Sequence, residues 1–127
     1  LVKTGGTIFI TGSSTSYVEV SATFERCVVI GNRAEATGGA IKSATCFTAI
    51  TNTTFRGNEA LNGGALRLSG TTAIDVCIFE ENISELDGGQ AISFIGSGLV
   101  MKDCTFSKNA YDCDEGTFLN ETGVSFG

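Results

Sequence analysis

Hydrophobic and polar residues alternate along short segments that are separated by glycine-rich and polar turns. Leu66-Arg67-Leu68 and Ile92-Ser93-Phe94 are two examples of this alternation. Successive side chains of a β-strand point to opposite faces of the sheet, so the alternation predicts strands with one buried face. An amphipathic helix would instead show an apolar face with a period of about 3.6 residues, and no such face is visible. The pattern therefore predicts an all-β chain.

Two short phrases recur in a fixed order along the chain. The first is Phe-x-x-Asn, which stands at 55–58, 79–82 and 106–109, with a weaker copy at 29–32. The second is Gly-Gly-Ala followed by Ile or Leu, which stands at 38–41 and 63–66 and, with one inserted residue, at 88–92. Shorter copies precede and follow these, at 5–8 and 116–118. One repeat takes about 25 residues, a period typical of solenoid proteins.

The repeat predicts a right-handed parallel β-helix, or β-solenoid, of about five coils of roughly 25 residues, formed by residues 1–127 as a single domain. Coils that stack at the strand spacing of about 4.8 Å place equivalent residues on top of one another. The expected ladder of amides at a turn consists of Asn32, Asn58, Asn82 and Asn109, and the expected aromatic column consists of Phe55, Phe79 and Phe106. An aliphatic inner column is expected to contain Ile8, Ile41, Leu66, Ile92 and Phe118.

The two phrases together resemble the signature of the polymorphic outer membrane proteins, the chlamydial autotransporter adhesins. The resemblance covers residues 24–118 and rests on Gly-Gly-Ala-Ile/Leu and Phe-x-x-Asn following each other over several repeats. It implies a passenger region that folds as a right-handed parallel β-helix and is exposed at the cell surface. It also implies a role in adhesion and host contact, with a host-cell receptor or a glycan as the partner.

The charge balance excludes some partners. Fourteen acidic residues against eight basic ones give a net charge of −6, which repels phosphate backbones and anionic lipid headgroups. No apolar run approaches the roughly 20 residues needed to span a bilayer. We therefore expect neither nucleic acid binding nor direct membrane insertion.

Five cysteines in a chain of this length leave two interpretations open. They form disulfides of an extracellular protein, or they are small buried apolar residues. Cys27, Cys77 and Cys104 stand at equivalent repeat positions, and Cys104 with Cys113 is the first pair to test for a disulfide because the two are close in sequence. No histidine is present, and no cysteine spacing suggests a zinc site.

Three N-glycosylation sequons begin at Asn52, Asn82 and Asn120. Asn82 belongs to the predicted amide ladder and leaves little room for a glycan. Asn52 and Asn120 are the better candidates. Their presence favours a secreted glycoprotein.

Catalysis is the main alternative, because polysaccharide lyases and hydrolases also use the parallel β-helix. Acid-base chemistry on a sugar needs carboxylates that converge on one face, often with histidine, which this chain lacks. Asp75 and Asp103 lie near neighbouring turns, but Lys102 is adjacent and solvated surface charges are the preferred interpretation. We expect no catalytic residue and no cofactor.

Acidic residues cluster between the Asn and the Gly pair of each repeat. They are Glu35, Glu59, Glu85, Asp87, Asp112, Asp114 and Glu115. Ca²⁺ binding is one alternative for such a row of carboxylates, although no recognised calcium loop is present. A solvated acidic edge that aids solubility is the preferred interpretation, and we predict no metal site.

The sequence predicts an extracellular structural or adhesive β-solenoid module of a cell-surface or filament-forming protein. We expect the chain to be a segment of a longer solenoid or assembly. Its partners are then neighbouring β-helix segments or further copies that associate end to end, because exposed strand edges need covering. The alternative is a carbohydrate-binding or carbohydrate-active β-helix with an unrecognised site.

Overall fold

A computed structural model of the chain describes residues 8–11, 21–85, 90–95, 98–113, 116–119 and 124–126. These residues form strands and turns. The strands are β1 Ile8–Thr11, β2 Ser21–Glu25, β3 Val28–Ile30, β4 Ile41–Ala44, β5 Phe47–Thr51, β6 Thr54–Arg56, β7 Glu59–Ala60, β8 Leu66–Ser69, β9 Thr72–Asp75, β10 Ile78–Glu80, β11 Ile83–Ser84, β12 Ile92–Ile95, β13 Leu99–Lys102, β14 Thr105–Ser107, β15 Ala110–Cys113, β16 Gly116–Leu119 and β17 Val124–Phe126. Within these ranges, no helix is long and apolar enough to cross a membrane.

The strands form four sheets that run along a common solenoid. Sheet 1 has the order β1-β4-β8-β12-β17, sheet 2 is β2-β5-β9-β13, sheet 3 is β3-β6-β10-β14, and sheet 4 is β7-β11-β15-β16. Each coil contributes one strand to each sheet in turn, as β4 to β7 do, and strands of successive coils pair in parallel. The predicted fold class, an all-β parallel solenoid, is confirmed.

The solenoid has about three coils, so the prediction of about five coils was too high. β16, which contains the Gly-Thr-Phe copy of the repeat, pairs antiparallel with β15. Val124, and not Phe118, lies in register with Ile92. Only two residues separate Cys113 from Gly116, a length that forms a hairpin, whereas a parallel connection needs a much longer crossover.

The core consists of inward columns that continue from coil to coil. In sheet 1, Ile41, Leu66 and Ile92 are in register and fully buried. Ile50 and Ile74 form the equivalent column of sheet 2. Fully burying one such side chain contributes about 1.5–3 kcal/mol, so this repetition is the main source of stability.

The paired glycines before sheet 1 have two different roles. Gly63 has a φ of 65°, the left-handed region that glycine adopts without steric cost. A Cβ atom on the next residue, Gly64, would lie 2.6 Å from the Ile83 carbonyl oxygen of the following coil. The Gly-Gly phrase is therefore required by the turn and by the close approach of successive coils.

Candidate functional site

The four ladder asparagines lie on top of one another at the turn between sheets 3 and 4. The Oδ1 atom of Asn82 accepts hydrogen bonds from the backbone N of Asn58 at 3.1 Å and from its Nδ2 at 3.0 Å. Asn32 donates in the same way to Asn58, and Asn82 donates to Asn109. The hydrogen bonds of the ladder thus all run in one direction, from each asparagine to the one in the next coil.

Each interior amide of the ladder uses its full hydrogen-bonding capacity. Asn82 Nδ2 donates to Asn109 Oδ1 and also to the Phe55 carbonyl oxygen at 3.1 Å, and Asn58 Nδ2 donates likewise to the Val29 carbonyl oxygen at 3.0 Å. Asn82 is 0% exposed. A glycan on Asn82 would remove a donor from this buried network, so this sequon is not a usable site in the folded chain.

The aromatic column lies directly beside the ladder in sheet 3. The rings of Phe55 and Phe79 have centroids 5.1 Å apart and an interplanar angle of 9°, and those of Phe79 and Phe106 are 4.9 Å apart at 7°. Phe55 and Phe79 are fully buried, whereas Phe106 is partly exposed at the last coil. These side chains stabilise the fold and offer no reactive group.

Three cysteines share one column with Thr53 at the turn between sheets 2 and 3. Each thiol lies 3.4 Å from the carbonyl oxygen two residues earlier, as in Cys77 with Asp75, and the Thr53 hydroxyl makes the same contact with Thr51 at 2.9 Å. Burial raises the pKa of the Cys77 thiol. The three thiols therefore act as hydrogen-bonding residues of the turn, and Cys77 is also part of the buried core.

Among the described residues, Cys27, Cys46, Cys77 and Cys104 form no disulfide with one another. Cys46 lies apart from the column, in a buried polar cluster in which the Ser43 hydroxyl is 2.9 Å from its sulfur. The side chain of Cys113 lies outside the described residues, and the pairing of Cys104 with Cys113 stays a prediction.

The predicted acidic edge also contains a cation, the side chain of Arg33. The Arg33 guanidinium lies 3.6 Å from a Glu59 carboxylate oxygen and 3.4 Å from one of Glu85. Among the described residues, no group of three or more His, Cys, Asp or Glu residues is arranged to hold a metal ion. Asp87, Asp114 and Glu115, and the side chain of Asp112, lie outside the described residues.

The two aspartates considered for catalysis occupy different positions of the repeat. Asp75 ends β9 and is in register with Lys102, so Asp103 is one residue further along and corresponds to Val76 in the turn. Val76 and Asp103 both have left-handed backbones, with φ of 53° and 52°. The two carboxylates therefore do not share one face of a strand.

One candidate glycosylation site can be located. Asn52 is exposed in the turn between sheets 2 and 3, where its φ of 47° is one that asparagine tolerates well. Asn120 lies outside the described residues. The geometry at Asn52 leaves its amide accessible to modification.

One outward-facing column of sheet 1, which we call the outer column, was not predicted from the sequence. It is formed by Phe9, Lys42, Arg67 and Ser93, which are in register on β1, β4, β8 and β12. The Arg67 guanidinium donates to the Ser93 hydroxyl, and Lys42 Nζ lies 5.5 Å from the centroid of the Phe9 ring. Lys42 and Arg67 both follow the aliphatic residue of the Gly-Gly-Ala phrase, a signal visible in the sequence.

Comparisons with models of protein families, with curated proteins and with solved structures find no match for this chain.

Proposed function

We propose that the chain is a structural and adhesive β-solenoid module that associates through the end of its solenoid. The observation that supports this most directly is the difference in burial between the first described coil and the interior coils. Phe24 is in register with Ile50, which is in register with Ile74. Ile50 and Ile74 are fully buried, whereas Phe24 is partly exposed.

The same difference recurs in sheets 1 and 3. Ile8 and Ile10 of β1 and Val29 of β3 point inward but are only partly buried, whereas the equivalent residues of the next coil, such as Ile41 and Phe55, are fully buried. In the described part of the chain, β1, β2 and β3 each pair with a strand on one side only. Unpaired strand edges beside apolar side chains are surfaces that favour further strand pairing.

The opposite end of the solenoid is built differently. There β17 extends sheet 1 beyond β12 and β16 pairs antiparallel with β15, so the outermost described strands are β13, β14, β16 and β17. Leu99 and Met101 of β13 are also only partly buried. A second copy that approached this end in the solenoid direction would meet β16 and β17. Association through two first coils that face each other about a twofold axis, the commonest symmetry of homo-oligomers, avoids this obstacle.

The biological setting of the module is part of the same proposal. The order of its two repeat phrases resembles that of the polymorphic outer membrane proteins, which supports a surface-exposed adhesin that contacts a host receptor or a glycan. The accessible sequon at Asn52 supports secretion as a glycoprotein. The module then serves as a rigid scaffold, and its outward residues determine what it binds.

Sedimentation velocity of the 127-residue chain over a range of concentrations tests the association. Phe24→Lys places a charge on the inward side of the first coil, where the flexible side chain of a monomer can still reach water. Thr23→Lys is the matched control, because Thr23 is the exposed, outward neighbour on the same strand.

We expect the wild type and Thr23→Lys to associate as concentration rises, and Phe24→Lys to stay monomeric with an unchanged circular dichroism spectrum. A wild-type chain that sediments as a monomer throughout, or equal association of the two variants, contradicts the proposal.

A further inference from the structure

The outer column contains two cations that no carboxylate of the described residues neutralises. Lys42 and Arg67 are direct neighbours on adjacent strands of sheet 1. Among the described residues, neither forms an ion pair, although the chain as a whole has a net charge of −6. Two adjacent like charges repel each other, so their position is unfavourable unless an anion binds there.

The other described arginines behave differently. Arg26, Arg33 and Arg56 each lie within 3.6 Å of a glutamate oxygen, and the closest pair, Arg56 with Glu80, is at 2.7 Å. Arg67 has instead the Ser93 hydroxyl as its hydrogen-bond acceptor. Most of its five N–H donors are thus available to a ligand.

The Arg67 side chain is also partly withdrawn from water. It lies over Ser93, which is 4% exposed although it stands on the outward side of its strand. This burial lowers the pKa of Arg67. A half-buried guanidinium binds an anion more strongly than one that is fully solvated, because the local dielectric constant is lower.

The spacing of the residues along the outer column favours some linear polyanions over others as ligands. Its residues follow one another along the solenoid at the strand spacing of about 4.8 Å. An extended acidic peptide presents side chains on one face only every second residue, about 6.7 Å apart, and does not match this spacing. A chain of pyranose rings advances by about one strand spacing for each ring and carries hydroxyls on both edges besides its carboxylates, so successive rings can contact successive residues of the column through different groups.

The two ends of the column suit a sugar as well. Phe9 is 49% exposed and presents an aromatic ring, a surface on which the apolar face of a pyranose packs. Ser93 supplies a hydroxyl, a group that both donates and accepts hydrogen bonds.

We propose that the outer column is a binding site for a polysaccharide of carboxylate-bearing sugars. Arg67 binds a sugar carboxylate through paired N–H donors, Lys42 adds its positive charge beside the same polyanion, and Phe9 packs against a sugar ring. The site gives the adhesive part of the proposed function a ligand class, and in that sense rests on it.

A pair of oligosaccharides that differ only in charge tests the site directly. Isothermal titration of the intact chain would compare a β-1,4-linked mannuronate oligomer with a β-1,4-linked mannan oligomer of the same length, and with dextran sulfate. Arg67→Gln and Lys42→Gln remove the proposed contacts. Arg56→Gln is the matched control, since it removes the same charge from an outward strand position that is already ion-paired.

We expect the wild type to bind the mannuronate oligomer and not the mannan oligomer, with an affinity that falls as salt rises. Arg67→Gln should weaken binding about tenfold to a hundredfold, the effect of losing a hydrogen bond between charged groups, whereas Arg56→Gln should leave it unchanged.

Three outcomes would overturn the proposal: no binding of mannuronate, equal binding by Arg67→Gln and the wild type, or a preference for dextran sulfate over mannuronate. Sedimentation of the same samples separates this result from the proposed association. If the chain associates but does not bind the mannuronate oligomer, only the proposed binding site is rejected. If it binds the oligomer but does not associate, only the proposed association is rejected.

Discussion

Replacing Asn82 with alanine removes an interior rung of the amide ladder. Its Oδ1 atom accepts two hydrogen bonds from Asn58, and its Nδ2 atom donates to Asn109 and to the Phe55 carbonyl oxygen, all at 3.0–3.1 Å. Asn58, Asn82 and Asn109 are fully buried. The alanine side chain cannot replace any of these contacts, and the tight stacking of coils restricts the entry of water.

The expected cost follows from the groups left without partners. The substitution leaves the backbone N–H of Asn58 and one proton of its Nδ2 group as buried donors without an acceptor. Each such donor costs about 1–3 kcal/mol, so the two together cost about 2–6 kcal/mol. The free energy of unfolding of a typical domain is about 5–15 kcal/mol, so the loss is a large share of the total.

Asn32→Ala is the matched control, because Asn32 is the partly exposed first rung and the Oδ1 of Asn58 keeps its bond from the Asn32 backbone N. We expect this variant to lose about 1 kcal/mol. Urea unfolding at protein concentrations too low for association measures both variants. Equal destabilisation by Asn82→Ala and Asn32→Ala would refute the reasoning that burial makes the interior rung costly.

Three further predictions use the same unfolding assay. Phe79→Ala should cost about 3–5 kcal/mol by opening a cavity between two stacked rings, and a loss no larger than that of the exposed neighbour Ile78→Ala would contradict the stack. Thr72→Val should leave stability unchanged or raise it by about 1 kcal/mol, because the Thr72 hydroxyl is buried without a hydrogen-bond partner. Thr48→Val should destabilise the chain, because it breaks a 2.7 Å hydrogen bond with the Ser43 hydroxyl. A larger loss for Thr72→Val than for Thr48→Val would contradict these hydrogen-bond assignments. Burial raises the pKa of Cys77 above its usual 9.0, so above pH 9.0 the folded chain keeps a thiol proton that the unfolded chain loses. The free energy of unfolding should therefore fall as pH rises above 9.0, and this part of the fall should be absent in Cys77→Thr. Identical pH profiles of the two proteins would contradict this expectation.

The repeat itself was readable from the sequence because a solenoid stacks like on like. Asn58 and Asn82 bond to each other only if each coil has nearly the same length, and Phe55 stacks on Phe79 for the same reason. A residue type that returns at nearly constant spacing therefore predicts both the coil and the column. Such columns can be predicted from the repeat period alone, without knowing which distant residues are in contact.

The end of the solenoid was not predictable in the same way. The phrase at Gly116–Leu119 contains too few residues to distinguish another coil from a hairpin, and pairing with β15 decided between them. The turn at Val76 is a second example. A β-branched residue is unfavourable in the left-handed region, yet the stacked turn imposes this φ at Arg26, Asn52 and Asp103 as well.

The outer column was missed for a different reason. Lys42 and Arg67 are visible at the same position of two successive repeats, but ordinary solvated charges give the same pattern. What distinguishes them is the absence of a neighbouring carboxylate among the described residues, together with the shielding of Ser93 beneath the guanidinium. Both depend on the register between coils, which becomes known only when the sheets are assembled.

Amide hydrogen exchange as a function of protein concentration shows whether the first coil is an association surface. Mass spectrometry of peptides covering β2 and β3 reports on the edge amides, and a peptide covering β6 serves as the internal reference because β6 is paired on both sides. We expect exchange in β2 and β3 to slow as the concentration rises, while exchange in β6 is unchanged. Exchange rates in β2 and β3 that stay constant over the whole concentration range would contradict the proposed association.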